Sequence, residues 1–311
     1  MLKFSKNSYK KNYIHYIYCS LKVGDGMDET SKRYYHFTDK ELCRLILPIF
    51  AEKFFSVLVG IIDTLMISYA DENVVSGISV SNQLSNVFIF VFSSISLGGS
   101  IITNQYLGKR KNKLGNKAAN QLILINMMIS VFMMIFLMPF KDIILTILFG
   151  KIEYDVMKTE SVYFMFLIFS FPSLALSESC SVLHRSINKS NVTLLAAVIM
   201  NIVNIIGNYV AIFIFDFGVV GIAISLFISR LLSAMIMFTY LAKIDNSLHI
   251  SFNKLLDWDR HIMVKILKLS VPNGLEICFF QVSKTVLASI IALFGTYQIA
   301  AYAVAQKRTK I

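Results

Sequence analysis

The chain has 311 residues, 56% of them hydrophobic and only 16% charged, with a mean hydropathy of +0.63. A soluble globular domain is about 45–50% apolar and about 25% charged, so the composition excludes an ordinary soluble domain and points to an integral membrane protein. The net charge of +11 would suit a nucleic-acid binder in a soluble chain. Here the basic residues lie between apolar blocks, as in cytoplasmic loops, and no nucleic-acid partner is expected. Cys19, Cys43, Cys180 and Cys278 show no CxxC spacing, so neither a zinc site nor a disulfide framework is implied.

Residues 1–41 read as a cytoplasmic N-terminal segment. The opening MLKFSKNSYKKNYIHYIYCSLKVGDG lacks the apolar core and cleavage site of a signal peptide. Met27 is a second plausible start, so residues 1–26 are either a mis-called start or a basic tail that touches anionic lipid.

A bilayer core takes about 20 apolar residues per helix. Seven blocks qualify: Leu42–Ala70, Ile78–Thr103, Ala118–Pro139, Ser161–Leu183, Thr193–Phe215, Val219–Leu241 and Val264–Leu293, and an eighth starts at Ile299. The connections after blocks two, four and six are basic. The first of these carries Lys109, Arg110, Lys111, Lys113 and Lys117, the second Arg185 and Lys189, and the third Lys243, Lys254 and Arg260. The positive-inside rule therefore puts the N-terminus, these loops and residue 311 in the cytoplasm, with a multi-pass chain in the plasma membrane. Residues 42–242 form a six-helix transmembrane lobe, 243–263 a cytoplasmic amphipathic linker around Trp258, and 264–311 the start of a second lobe. Pro48 with Glu52, and Pro272 with Glu276, open the first and seventh blocks in the same order. A repeat split by a loop is a transporter signature.

Candidate chemistry lies in carboxylates and amides inside these blocks. Asp63 in SVLVGIIDTLMIS costs about 2.5–3.5 kcal/mol at a helix centre on insertion scales, so it must face a bundle interior or a cavity. It is either an ion-responsive carboxylate or an acid satisfied by neighbouring helices. Glu52, eleven residues earlier, shares its helix face; it either joins a substrate or ion site or reaches the interface, where Lys53 can pair with it. Asn201, Asn204 and Asn208 follow i, i+3, i+7 spacing on one stripe of block five. They either coordinate a cation and hold a carboxylate, or glue helices together. Gly207 beside them permits close helix approach, and Gly98 and Gly99 of block two read as helix-contact residues. In block seven, Glu276, Gln281 and Lys284 are polar within a span, and either a pair or a site fits. No P-loop, HExxH, GxSxG or CxxCH motif is present, so neither an enzyme activity nor a cofactor is expected.

Taken together, LPIFAEKFFSVLVGIIDTLMIS, SLGGSIITNQYLGKRKNKLGNKAA, LHRSINKSNVTLLAAVIMNIVNIIGNYVAIFIFDFGVVGIAIS, LSVPNGLEICFFQVSK and FGTYQIAAYAVAQKR resemble the multidrug and toxic compound extrusion (MATE) family, of the bacterial NorM/DinF-like kind. The resemblance implies an all-α membrane protein: a six-helix N-terminal lobe plus the first one to two helices of a second. It implies export of cationic or amphiphilic drugs in exchange for H+ or Na+, with membrane lipid as the surroundings and no obligate protein partner. Asp63 falls at the family's first-helix acid, Asn204 at a helix-five asparagine that works with it, and Asn208 where some members carry an acid. Gln281 stands where NorM-like members have a glutamate, and Glu276, one turn earlier, is the candidate replacement. The family's twelve-helix plan extends beyond residue 311, so impaired transport is expected of this chain alone. A lipid-linked oligosaccharide flippase of the same superfamily is the first alternative, disfavoured by the placing of nearly all basic residues in loops. A seven-helix receptor-like protein is the second, disfavoured because charge places both termini on one side.

Overall fold

A computed structural model of the chain describes residues 39–70, 72–149, 154–243 and 258–292. Among the described residues every regular element is helical: α1 (Asp39–Ala70), α2 (Glu72–Gly108), α3 (Asn112–Phe149), α4 (Tyr154–Phe169), α5 (Phe171–Ser186), α6 (Ser190–Tyr209), a π turn (Val210–Ile214), α7 (Gly218–Lys243) and α8 (Arg260–Ala292). The architecture is the all-α membrane bundle that the sequence predicts. Ser85–Gly108, Asn112–Thr146, Ser190–Ile214 and Gly218–Ala242 are long and apolar enough to cross a bilayer, and the bent α4–α5 pair makes a fifth span. The predicted first and seventh spans correspond to α1 and α8, of 32 and 33 residues. Both are long enough to cross, but each carries charges inside its apolar stretch. The predicted start of block eight and most of the linker lie outside the described residues.

Two local departures from the predicted blocks have physical causes. Block four is not one straight helix. It bends by 42° between α4 and α5, where Pro172 occupies the first turn of α5. A proline there supplies no N–H and its ring displaces the preceding turn. Pro139, by contrast, was expected to end block three but lies inside α3. A membrane helix absorbs such a residue because neighbouring groups satisfy the freed carbonyl.

α5 is the hub, packed against α2, α3, α6 and α7. Two apolar clusters fill the bundle. One centres on Leu122, Ile123, Cys180, Leu183 and Leu241. The other centres on Phe92, Tyr163, Phe164, Leu167 and Phe171. The outer face is apolar too: Phe132 and Ile135 of α3 are 64% and 65% exposed, as fits a surface bathed in hydrocarbon. Buried amides and hydroxyls fix the register between helices. The Asn126 amide of α3 donates to Ser96 Oγ of α2 at 2.9 Å and to Ser179 Oγ of α5 at 2.8 Å. Gly98 faces Ser270 of α8 so closely that a methyl group would collide with it, and Gly99 lies as tightly against Leu122. The glycines predicted to mediate helix contact therefore do so. Ser94 Oγ donates to the Ser270 carbonyl at 2.7 Å beside this crossing, joining α8 to α2.

Candidate functional site

Asp63 sits in the second half of α1, which packs along α6. The asparagine stripe of α6 turns inward: Asn201, Asn204 and Asn208 are all buried. Asn208 Nδ2 donates to Asp63 Oδ1 at 3.1 Å. The Asn204 amide, turned so that its nitrogen faces the carboxylate, donates to Asp63 Oδ2 at 3.0 Å and Oδ1 at 3.1 Å. The opposite orientation would let the Asn204 oxygen accept from Asn208 Nδ2 at 3.3 Å but would set it against two carboxylate oxygens, a repulsion that outweighs one long bond. Both amides thus converge on one half-buried carboxyl group. The Asn208 carbonyl oxygen is buried and has no hydrogen-bond partner among the described residues, which leaves an acceptor beside Asp63. A carboxylate with an adjacent amide oxygen is a hard-oxygen donor set, suited to a proton or a small monovalent cation.

The stripe is held rigidly from behind. Ser225 Oγ of α7 donates to the Asn204 carbonyl at 3.0 Å. Gly207 lies so close to Ser225 that an added Cβ would collide with its hydroxyl, which is the close approach that glycine permits. The π turn follows immediately at Val210–Ile214, a geometry often found at functional positions.

Other predicted site residues are not brought here. Asn201 is buried one turn away, and its Nδ2 has no partner among the described residues. Glu52 lies about 16 Å along α1 from Asp63 at 1.5 Å per residue. Its carboxylate is taken by Arg185 at the end of α5: one Nη2 donates to Oε1 at 2.9 Å and to Oε2 at 3.0 Å. Lys53, the sequence-adjacent candidate, reaches only 4.0 Å and its side chain is 71% exposed. Glu52 is therefore a tie between α1 and α5, not a member of the Asp63 cluster. Glu276 is exposed on α8, away from that cluster. Gln281 belongs to α8, but its side chain lies outside the described ones.

Sequence reasoning missed a second polar cluster. Glu160, just before the predicted fourth block, lies in α4, only 1% exposed, with Oε2 accepting from Ser81 Oγ at 3.3 Å. Arg230, mid-way along α7, was hidden by its apolar block. It donates to Ser170 Oγ at 2.7 Å and to Ser85 Oγ at 3.2 Å. Tyr163 donates its hydroxyl to Asn82 Oδ1 at 3.0 Å. A charge inside a predicted span was the available signal for Arg230.

The MatE family model matches residues 48–210, the stretch that contains Asp63 and the asparagine stripe. The chain belongs to the MatE family. Among MatE-like relatives, it is 30% identical over 259 residues to the uncharacterized transporter YisQ of Bacillus subtilis, covering 82% of this chain and 56% of that protein. It is 24% identical over 267 residues to the multidrug export protein MepA of Staphylococcus haemolyticus, covering 85% and 58%. Its fold matches the outward-facing conformation of a multidrug resistance MATE family transporter of the MOP superfamily, with a TM-score of 0.78 at 19% identity over 87% of this chain and 60% of that one. This MatE chain therefore spans a little over half the length of the curated relatives it matches.

Proposed function

We propose that this MatE chain is the ion-coupling lobe of a plasma-membrane exporter that exchanges cationic or amphiphilic drugs for H+ or Na+. The observation that carries the reading is the convergence of Asn204 and Asn208 on Asp63. An isolated charged carboxylate in a bundle is costly. Two amide donors stabilise it while leaving it one step from neutralisation, by a proton or a bound cation. Neutralising Asp63 removes the pull on both amides and lets α1 and α6 repack. A cationic drug and the coupling ion then compete for the same negative charge, which is antiport in its simplest form. The basic loops at Lys109–Lys113 and Arg185–Lys189 support a cytoplasmic location for those ends of the lobe.

The purified chain in lipid nanodiscs tests the reading. Ethidium binding, followed by calorimetry in two buffers of different ionisation enthalpy, is expected to release protons or to be displaced by sodium. Asp63→Asn is expected to abolish the exchange without lowering protein level. Wild-type ion exchange from Asp63→Asn protein would refute the coupling role.

A further inference from the structure

The basic residues at this end of the lobe are of two kinds. Lys117 reaches Asp259 at 2.8 Å, and Arg185 binds Glu52 at 2.9 Å. Lys109, Arg110, Lys111 and Lys113, which join α2 to α3, are all exposed, and among the described residues none of them has a carboxylate partner or a side-chain hydrogen bond. The turn that carries them is nonetheless well built. The Arg110 amide donates to the Leu107 carbonyl at 2.8 Å and the Lys111 amide to the Tyr106 carbonyl at 3.0 Å, with Arg110 in the left-handed region at φ +56°. This turn and the first turn of α3 enclose an open cavity of ≈ 400 Å³, lined by Arg110, Lys111, Asn112, Lys113 and Leu114. No acidic residue stands in that first turn of α3, so three cations border the cavity and nothing near them in sequence offsets their charge.

The depth of the cavity in the membrane selects its occupant. The apolar span of α2 runs to Gly108 and that of α3 starts at Asn112. A connection of three residues cannot carry its cations far into water, so they stand at the level of the lipid headgroups. We propose that the cavity binds the phosphate group of an anionic phospholipid in the leaflet that the basic loops face, the cytoplasmic one by the positive-inside rule. An arginine guanidinium donates to two phosphate oxygens at once, and Lys111 and Lys113 add point charges beside it. Leu114, 39% exposed, gives the glycerol backbone an apolar contact at the edge of the site. Charge complementarity alone would also admit a soluble polyanion. A lipid has the advantage that its phosphate is already at this depth, with its acyl chains against the apolar outer face of the helices. The lipid would then clamp the α2–α3 hairpin at a fixed height in the bilayer. The proposal stands independently of the coupling role of Asp63.

The chain carries its own probe for the test. Its only tryptophan, Trp258, adjoins Asp259, which pairs with Lys117 one turn along α3 from Lys113. Energy transfer from Trp258 to phosphatidylglycerol labelled with dansyl on an acyl chain, titrated into the full chain in detergent micelles, reads lipid binding at this end. The same titration with labelled phosphatidylcholine reads non-specific partition. Wild type is expected to bind phosphatidylglycerol in preference to phosphatidylcholine. Arg110→Asn keeps the turn, because asparagine tolerates the left-handed region. Combined with Lys111→Gln and Lys113→Gln it is expected to weaken phosphatidylglycerol binding on the order of 100-fold, from about fivefold for each cation removed, and to leave the phosphatidylcholine signal unchanged. Lys141→Gln removes one positive charge from a lysine paired with Asp142 at the other end of α3 and is expected to change nothing. Arg110→Lys with Lys111→Arg keeps the charge and is expected to retain binding, which separates loss of the site from loss of the fold. If the triple variant binds phosphatidylglycerol as tightly as wild type, the proposal falls. If inorganic phosphate at constant ionic strength displaces the lipid from wild type, the loop is a site for soluble anions and the lipid assignment falls.

Discussion

The contact at Gly98 gives a sharp quantitative test of how α8 is joined to the bundle. A methyl group at Gly98 would meet Ser270 at its hydroxyl, and also its backbone nitrogen at 3.0 Å and Cα at 3.1 Å. The hydroxyl can rotate away, but the backbone cannot, so Gly98→Ala must push α8 off α2. Overpacking of this kind costs about 1–3 kcal/mol. Displacing α8 also loosens the 2.7 Å bond from Ser94 Oγ to the Ser270 carbonyl, worth about 0.6 kcal/mol for a typical interhelical bond in a membrane protein. Against this, alanine is a better helix former than glycine by about 1 kcal/mol. The expected net loss is about 1–2.5 kcal/mol. Gly60 of α1 is the control, because a methyl group there meets nothing within 4 Å. Gly60→Ala is expected to be neutral or stabilising by up to about 1 kcal/mol. Denaturation of both variants by SDS in mixed micelles, followed by circular dichroism, measures the gap. Ser270→Gly in the Gly98→Ala background relieves the hydroxyl clash but not the backbone one, so it is expected to restore only part of the loss. Equal stability of Gly98→Ala and Gly60→Ala would refute the close crossing of α2 and α8.

Asn126→Ala removes the amide's bonds to Ser96, Ser179 and the Phe92 and Ala175 carbonyls, but Ser96 and Ser179 lie 3.5 Å apart and can re-pair; the expected loss is about 1–2 kcal/mol in the same assay, and a loss well above that would mean the serines are left unsatisfied. Arg185→Ala leaves Glu52 buried without its main partner, and the double variant with Glu52→Gln is expected to be more stable than Arg185→Ala alone, because an uncompensated charge is worse than none. Asp259 accepts from Lys117 at 2.8 Å and caps α8 through the His261 and Ile262 amides. These contacts, the Lys117 bond foremost, hold its carboxyl below its ordinary range. A depressed carboxylate stabilises the fold above its unfolded value and loses that contribution as pH falls through the folded one. The stability difference between wild type and Asp259→Asn should therefore be full at pH 7 and vanish in acid below the ordinary aspartate range, near about 4; a difference that persists in acid would contradict the ion pair. For orientation, a cysteine placed at Lys111 is expected to react with an impermeant maleimide only after the membrane is opened, and labelling of intact cells would invert the topology.

What could be read from the sequence were the features that depend on local spacing alone. Asp63 stands out because a carboxylate in an apolar run has no cheap environment, and the asparagines stand out because i, i+3 and i+7 define one helix face. Their meeting required only that α1 and α6 pack face to face. Glu52 failed on the same logic. Its natural partner in sequence is Lys53, yet neighbours on a helix point about 100° apart, and burying one exposes the other. The true partner, Arg185, is 133 residues away at the end of α5, and only the tertiary arrangement chooses it. The bend at Ser170–Pro172 was visible as a proline, but the same residue type at Pro139 leaves α3 unbroken, so the proline alone does not decide.

Glu160 and Arg230 show the deeper limit of reading one element at a time. Glu160 stands just before the predicted fourth block and Arg230 inside the sixth, and neither was singled out. Neither is explained by its own helix: the Glu160 carboxyl is 1% exposed, and the half-buried Arg230 guanidinium reaches serine hydroxyls outside its own helix. Their hydroxyl partners, Ser81 for Glu160 and Ser85 for Arg230, stand one turn apart on α2, and that relation exists only once α4 and α7 reach the same stretch of it. A charge inside a predicted span therefore calls for a search across the other spans for its polar partners, before it is assigned a role.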